Sequence, residues 1–304
     1  MNIKNVMVPT DFSQPSGIAL HYGVALARTL RARLTLVHVL EPQPVLEVAT
    51  EEEIASLERG RREAALQQLA ALLAPEDEDD LDLELVLRFG NARKEIAEAV
   101  REYHADMVVL GTHGRGRLGR WILGSTTEEL LRRLHVPMVT VCHTSSPKPF
   151  RRILFATDLL QSSSAAFAFA LDMAQTLHAE ILAMHALGGP VLTSGEFGMS
   201  IQVEKLAVEE VRRRLRLLVE EGDREGIAVK ALIADGPAAA QILQAADEND
   251  ADMILLAIES KGIIERTLLG TTAERVVREA TIPVLSVPVQ VEAQREKAEH
   301  VMLA

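Results

Sequence analysis

The sequence predicts an α/β protein built as two tandem copies of one doubly wound domain, each a parallel five-stranded sheet with helices on both faces. Three observations carry that prediction. The chain repeats itself with the period of a whole domain, each copy alternates short apolar runs with helical patterns, and 304 residues suffice for two ordinary domains.

The repeat is legible in several motifs. VMVPTD ends at Asp11 and LFATD at Asp158, an offset of 147, and LTLVHVL and ILAMHAL place His38 on His185 with the same offset. Further on, ADMVVLG and ADMILLA place Asp106 on Asp252, an offset of 146. LGSTTEELLRRLHVP and LGTTAERVVREATIP place Gly124 on Gly270 and Pro137 on Pro283. One net residue is lost over the unit, so this is a duplicated domain rather than a solenoid.

Within the first copy, Ile3–Pro9 is a short apolar run rich in Val and reads as a buried strand. A helical pattern follows Asp11, Ser13 and Ser16 and runs to about Leu30. Leu34–Leu40 is a second strand, ended by Pro42 and Pro44. Residues from Glu51 to about Leu73 form a long amphipathic helix, and Glu76–Asp80 is an acidic, solvated linker. Leu81–Phe89 is the third strand, Asn91–Tyr103 a helix and Met107–Gly111 the fourth strand. A loop rich in Gly and Arg leads to a helix from Ser125 to about Leu134 and a fifth strand at Met138–Cys142. Strands alternating with helices predict a parallel sheet covered on both sides, with right-handed crossovers. Ligands of such sheets bind beyond the carboxyl ends of the strands, where strand order reverses. The domains are expected at 1–145 and 150–290, joined by Ser145–Pro149, with a polar tail at 291–304.

Composition removes several functions. The net charge is −12, and neither half is basic: residues 1–146 hold 16 basic and 21 acidic residues, the remainder 16 and 23. Nucleic-acid binding draws on clustered Lys and Arg, so nucleic acid is not the expected partner. Cys142 is the single cysteine, so no disulfide forms within the chain, and it reads as a small buried strand residue. No cysteine pair or HExxH pattern suggests a metal site. The start MNIKNVMVPTD has no apolar signal region, and no apolar stretch approaches the roughly 20 residues of a membrane span. The expected location is the cytoplasm.

Chemistry concentrates between the fourth strand and the last helix of copy one. Gly111 and Gly114 let the backbone turn sharply and approach a bulky anion, and Gly124 does so at the helix entrance. Ser125 and Thr126 offer hydroxyls and backbone N–H groups at the positive end of the helix dipole. From Gly111 to Thr127 there are three arginines, Arg115, Arg117 and Arg120, and no acid. That local charge in an acidic protein calls for an anionic ligand, with Arg115 as a phosphate clamp.

Copy two departs at this point. Ala257 and Ser260 stand where Gly111 and Gly114 are, and Glu259, Lys261, Glu265 and Arg266 leave the loop uncharged. Its helix start, Thr271-Thr272-Ala273-Glu274, fits a capping box, as does Ser125-Thr126-Thr127-Glu128. Two decoys are set aside. Gly114–Gly119 spells GxGxxG, but after a fourth strand and with no acid at the required distance. No GxxxxGK[ST] sequence is present, so the chain is not a P-loop NTPase. His113 has no base or nucleophile near it in sequence and reads as a ligand contact or a solvent-facing residue. His38 and His185, kept in both copies, read as packing or strand-end residues. Trp121 reads as a loop anchor.

These residues resemble the universal stress protein family. Its nucleotide-binding members carry G-x2-G-x9-G-[ST] at this place, and Gly111-x2-Gly114-x9-Gly124-Ser125 fits without a gap. The opening Val-Pro-Thr-Asp-Phe-Ser, ending at Ser13, is similar to the family's first-strand motif. The resemblance covers both copies, as in tandem members. It implies strand order 3-2-1-4-5 and pairing through the fifth strands, here Pro137–Cys142 and Pro283–Val287, with further association of chains into a dimer. It implies that Pro9, Thr10 and Asp11 line a nucleoside site, with Asp11 toward the adenosine, and that Val39 contacts adenine. Gly111, His113 and Gly114 would approach ribose and phosphates, while Gly124, Ser125 and Thr126 hold the phosphates. The expected protein binds ATP, with or without Mg2+, mainly in its first domain, and a protein partner reads the bound state. At most it hydrolyses ATP slowly or phosphorylates itself. The alternatives are AMP or another adenine nucleotide as ligand, or an interaction scaffold independent of nucleotide.

Overall fold

The buried, β-branched run Asn5–Thr10 forms strand β1, and both of its faces are covered. That is what an interior strand of a parallel sheet requires. The computed structural model describes residues 3–42, 50–73, 81–112, 123–142, 145, 148–160, 162–188, 197–260 and 270–290. The acidic linker Glu76–Asp80 and the tail 291–304 lie outside the described residues, as do His113, Gly114, Arg115, Arg117, Arg120 and Trp121. The chain divides into two compact units, drawn mainly from Asn2–Pro147 and from Lys148 onward.

In the first unit β1 is followed by helix α1 (Gln14–Leu30), strand β2 (Arg33–Leu40), helix α2 (Glu51–Ala70) and strand β3 (Leu83–Phe89). Helix α3 (Ala92–Glu102), strand β4 (Met107–Gly111), helix α4 (Ser125–Arg133) and strand β5 (Met138–Val141) complete it. All pairings are parallel and the order is β3-β2-β1-β4-β5. Ser13 caps α1, its side chain accepting from the Ser16 N–H, and the helix ends at Arg31 in the left-handed region. Helix α2 begins with a full capping box between Thr50 and Glu53. The Thr50 hydrogen bonds hold the Glu53 carboxyl below its ordinary pKa. Val6, Met7, Val8, Leu34, Leu36 and the run Met107–Leu110 form the core of the sheet.

The second unit repeats the plan with strand β6 (Arg152–Ala156), helix α5 (Ser162–Leu177), strand β7 (Glu180–Leu187), helix α6 (Phe197–Glu225) and strand β8 (Val229–Asp235). Helix α7 (Ala238–Glu248), strand β9 (Met253–Ser260), helix α8 (Thr271–Glu279) and strand β10 (Val284–Gln290) follow. Its strands pair in the same order, β8-β7-β6-β9-β10. Phe155 and Phe167 pack at 5.2 Å between ring centroids in its core.

One device recurs at the other end of both sheets. Asp106 accepts the Lys4 and Asn5 N–H groups at 2.7 and 3.0 Å, and Asp252 accepts those of Arg151 and Arg152 at 2.9 and 3.0 Å. The shared Ala-Asp-Met motif is thus a clamp that sets where the first strand of each unit enters the sheet.

The capping-box reading of the last helices is corrected. Gly124 and Gly270 are the cap residues of α4 and α8, and neither helix has a side-chain cap. Ser125 and Thr271 are therefore the first helical residues, and their hydroxyls are not spent on the helix start. The local pattern was ambiguous by one residue, and the chain's path out of the preceding loop decided it.

Candidate functional site at the strand-order reversal of the first unit

Strand β1 lies between β2 and β4, so strand order reverses beside it, and the carboxyl ends of β1 and β4 flank the place where such sheets take ligands. Alternation along β1 decides where its ladder with β4 ends. The Arg33 N–H donates to the Lys4 carbonyl, and the Asp106 N–H to the Asn5 carbonyl. Even-numbered residues of β1 thus face β2, and odd-numbered residues face β4. Pro9 turns its nitrogen toward β4 and has no N–H to donate. The β1–β4 ladder accordingly stops at Met7–Val108, while β1 stays paired with β2 as far as Thr10–His38.

Beyond Pro9 the chain makes a tight, hydrogen-bonded turn into α1. Thr10 is buried, and its Oγ1 accepts the Phe12 N–H at 3.1 Å and lies 3.1 Å from Ser16 Oγ. Asp11 Oδ1 accepts the Ser13 N–H at 3.1 Å and the Ser13 hydroxyl at 2.5 Å. Phe12 occupies the left-handed region at φ 63°, a costly conformation for an aromatic residue. Its ring lies 4.3 Å from that of His38. His38 donates from Nδ1 to the Thr10 carbonyl at 2.8 Å, which fixes its tautomer. His38 thus serves the strand end, as the repeat suggested. Val39 follows it, half-buried at the carboxyl end of β2.

The loop after β4 leaves from a closed base. The Thr112 N–H donates to the Val141 carbonyl at 2.8 Å, and the Gly124 N–H returns to the Thr112 carbonyl at 2.7 Å. The Thr127 hydroxyl donates to the Gly111 carbonyl at 2.9 Å. At Gly111 the backbone is so close to α1 that a Cβ would lie 2.9 Å from the Pro15 carbonyl carbon and oxygen. Glycine there is required by packing between two elements, whatever ligand sits nearby. Ser125 is exposed and Thr126 half-buried in the first turn of α4, whose leading N–H groups have no partner within the helix.

The second unit reproduces the turn and extends the ladders. Leu159 repeats the left-handed turn at φ 60°, and Asp158 Oδ1 accepts the Leu160 N–H at 2.9 Å and the Ser163 hydroxyl at 2.6 Å. His185 bonds the Thr157 carbonyl at 2.8 Å. Ala156, however, replaces Pro9, and the β6–β9 ladder continues to Ala156–Leu256. Past Ala257, β9 and β10 stay paired through Glu259–Val289 to Ser260–Gln290, where β4 and β5 have stopped at Gly111–Val141. Ala273 stands where Thr127 is.

Comparison with known proteins places this architecture. The profile of the universal stress protein family matches the chain twice, at residues 2–142 and 149–288. The chain belongs to the universal stress protein family. A universal stress protein of Mycobacterium tuberculosis (strain ATCC 25618 / H37Rv) is 27% identical over 292 residues, covering 92% of this chain and 95% of the relative. One of Mycolicibacterium smegmatis is 25% identical over 297 residues, covering 93% and 96%. The crystal structure of a universal stress protein from Archaeoglobus fulgidus DSM 4304 matches with a TM-score of 0.72 at 22% identity, covering 95% of this chain and 99% of that one. That likeness establishes the fold.

Within this universal stress protein fold, Pro9, Thr10 and Asp11 lie at the end of β1, Val39 at the end of β2 and Gly111 at the end of β4. Gly124, Ser125 and Thr126 form the start of α4. Sequence reasoning missed Pro15, Thr127 and the part Pro9 plays in the ladder. Thr127 had one available signal, a threonine in copy one aligned with an alanine in copy two; the Pro15 contact had none. Among the described residues no group of three or more His, Cys, Asp or Glu side chains is arranged to hold a metal ion, and no helix is long and apolar enough to cross a membrane.

Proposed function

We propose that the protein is an ATP-binding regulatory protein whose first unit holds the nucleotide. The observation that carries this reading is the meeting of the Asp11 turn, the end of β4 at Gly111 and the first turn of α4 at the strand-order reversal. The β1–β4 ladder ends at Met7–Val108 just before Pro9, and the first-turn N–H groups of α4 have no partner within the helix. The site suits a phosphate chain on chemical grounds. Gly124 presents no side chain, the first-turn amides are donors at the positive end of a helix dipole, and Ser125 adds an exposed hydroxyl. Thr10, Asp11 and Val39 would receive the nucleoside, His113 and Gly114 would approach ribose and phosphates, and Arg115 would clamp a phosphate. Mg2+ would ride on the phosphates. The family motif Gly111-x2-Gly114-x9-Gly124-Ser125 supports the same assignment.

In this reading the bound nucleotide stabilises a conformation that a protein partner recognises, in the cytoplasm, with two chains forming a dimer. Chemistry on the nucleotide is confined to slow hydrolysis or autophosphorylation. Titration of Mg-ATP into nucleotide-stripped protein tests it, with AMP in parallel. Saturation near one site per chain is expected, with AMP weaker. No binding by folded protein would overturn the reading and leave a nucleotide-independent scaffold.

A further inference from the structure

We infer that Thr127 is a positioning residue for phosphate recognition, acting by pinning the start of α4 to the end of β4. The inference rests on the nucleotide reading above. Thr127 is the third residue of α4 and is only 3% exposed. A threonine there commonly faces solvent or bonds its own helix. Here its hydroxyl donates to the Gly111 carbonyl at 2.9 Å.

That bond works together with its neighbour. The Gly124 N–H donates to the Thr112 carbonyl at 2.7 Å. Two adjacent residues of the strand end, Gly111 and Thr112, are thus each tied to the helix start, one to a backbone N–H and one to a side chain. A single bond leaves a helix end free to pivot; two bonds fix its direction. Gly111 is in turn seated on the Pro15 backbone, close to the Asp11 turn. The first-turn N–H groups of α4 are therefore held at a set offset from the nucleoside end of the site. Thr127 touches no ligand in this scheme. It places the donors that do, and placement governs the strength of a charge-assisted hydrogen bond.

The second unit supplies the contrast. Ala273 has no hydroxyl, and the strand before it continues to Ser260. The pin is missing where the ladders run longer, and the fold evidently accepts alanine at this position.

The test compares the full-length wild type with T127V, which keeps the shape and removes the hydroxyl, T127S, which keeps the hydroxyl, and T127A, which copies the second unit. Affinities for Mg-ATP and adenosine are read by calorimetry, with urea midpoints as the check on folding. The expected result is about a tenfold loss of Mg-ATP affinity in T127V and T127A, the weight of roughly one net hydrogen bond. T127S should stay within about threefold of wild type, since the donor survives. Adenosine affinity should be the same in all four proteins. Equal Mg-ATP binding by T127V and wild type would overturn the inference. So would a T127S as weak as T127V, or a loss on adenosine as large as on Mg-ATP. If the wild type itself binds no nucleotide, the proposed function falls first and this inference with it.

Discussion

The two units share a strand order, a left-handed residue after the first strand, a carboxylate held by serine, and a histidine bonded to a threonine carbonyl. They differ at the carboxyl ends of three strands. In the first unit the β1–β4 ladder ends at Met7–Val108, and the β4–β5 ladder ends at Gly111–Val141. In the second the corresponding ladders run on to Ala156–Leu256 and Ser260–Gln290. A duplicated scaffold can therefore shorten or extend its strand ladders at the ligand end through a few backbone-level changes. A proline in place of alanine cuts one ladder, and a glycine in place of alanine lets the chain leave another against α1. The core has no need to change.

The comparison can be broken at its most sensitive point by writing Pro9 into the second unit. Ala156→Pro removes a ladder N–H in a central strand and should cost that unit about 1–3 kcal/mol, the penalty for a buried acceptor left unmatched. Hydrogen exchange of the β6 and β9 amides would locate the loss. A variant with unchanged protection would show that proline is not what parts the strands.

Next in size is Gly111→Ala, which sets a Cβ against the Pro15 backbone. It should destabilise the first unit by about 1–3 kcal/mol in urea titrations, the range for forced overpacking. It should also abolish saturable Mg-ATP binding. Ala257→Gly in the second unit should create no site, because β9 and β10 remain zipped beyond it.

The clamp at the far end should behave alike in both halves. Asp106→Ala and Asp252→Ala each remove an acceptor of two backbone N–H groups and should each cost about 1–3 kcal/mol. Unequal losses in thermal unfolding would mean that the shared motif has diverged in role.

The smallest effect concerns a charge inversion. Arg33 opens β2 and pairs with Asp82 and Glu84, whereas Glu180 opens β7 and pairs with Lys230 and Arg152. Hydrogen bonds from Lys230 and then Arg152 hold the Glu180 carboxyl below its ordinary value. A lowered folded pKa means stabilisation that is complete above the unfolded carboxylate pKa of about 4.3 and is lost as pH falls through the folded value. Glu180→Gln should cost under about 1 kcal/mol at pH 7. It should also flatten the decline of second-unit stability below about pH 4. An unchanged acid limb would remove Glu180 from the account of that decline.

Much of this protein is written locally and needed no coordinates. The repeat, the alternation of strand and helix, the histidine at the strand end and the glycine motif all follow from short stretches or from motifs that recur. Periodicity and turn chemistry are short-range properties, so a linear sequence displays them. Helix starts were legible only to within a residue: Ser125 matched a cap pattern that belongs to Gly124, since both choices satisfy the same local rule.

What only the tertiary structure decided is whatever depends on two distant segments meeting. That Pro9 turns its nitrogen to β4 rather than β2 follows from the register of neighbouring strands. That Gly111 must be glycine follows from Pro15, and that Thr127 is buried on the Gly111 carbonyl follows from the path of the loop between them. Such pairings are set by backbone geometry across the sheet, and a side-chain pattern read along one strand carries no record of them.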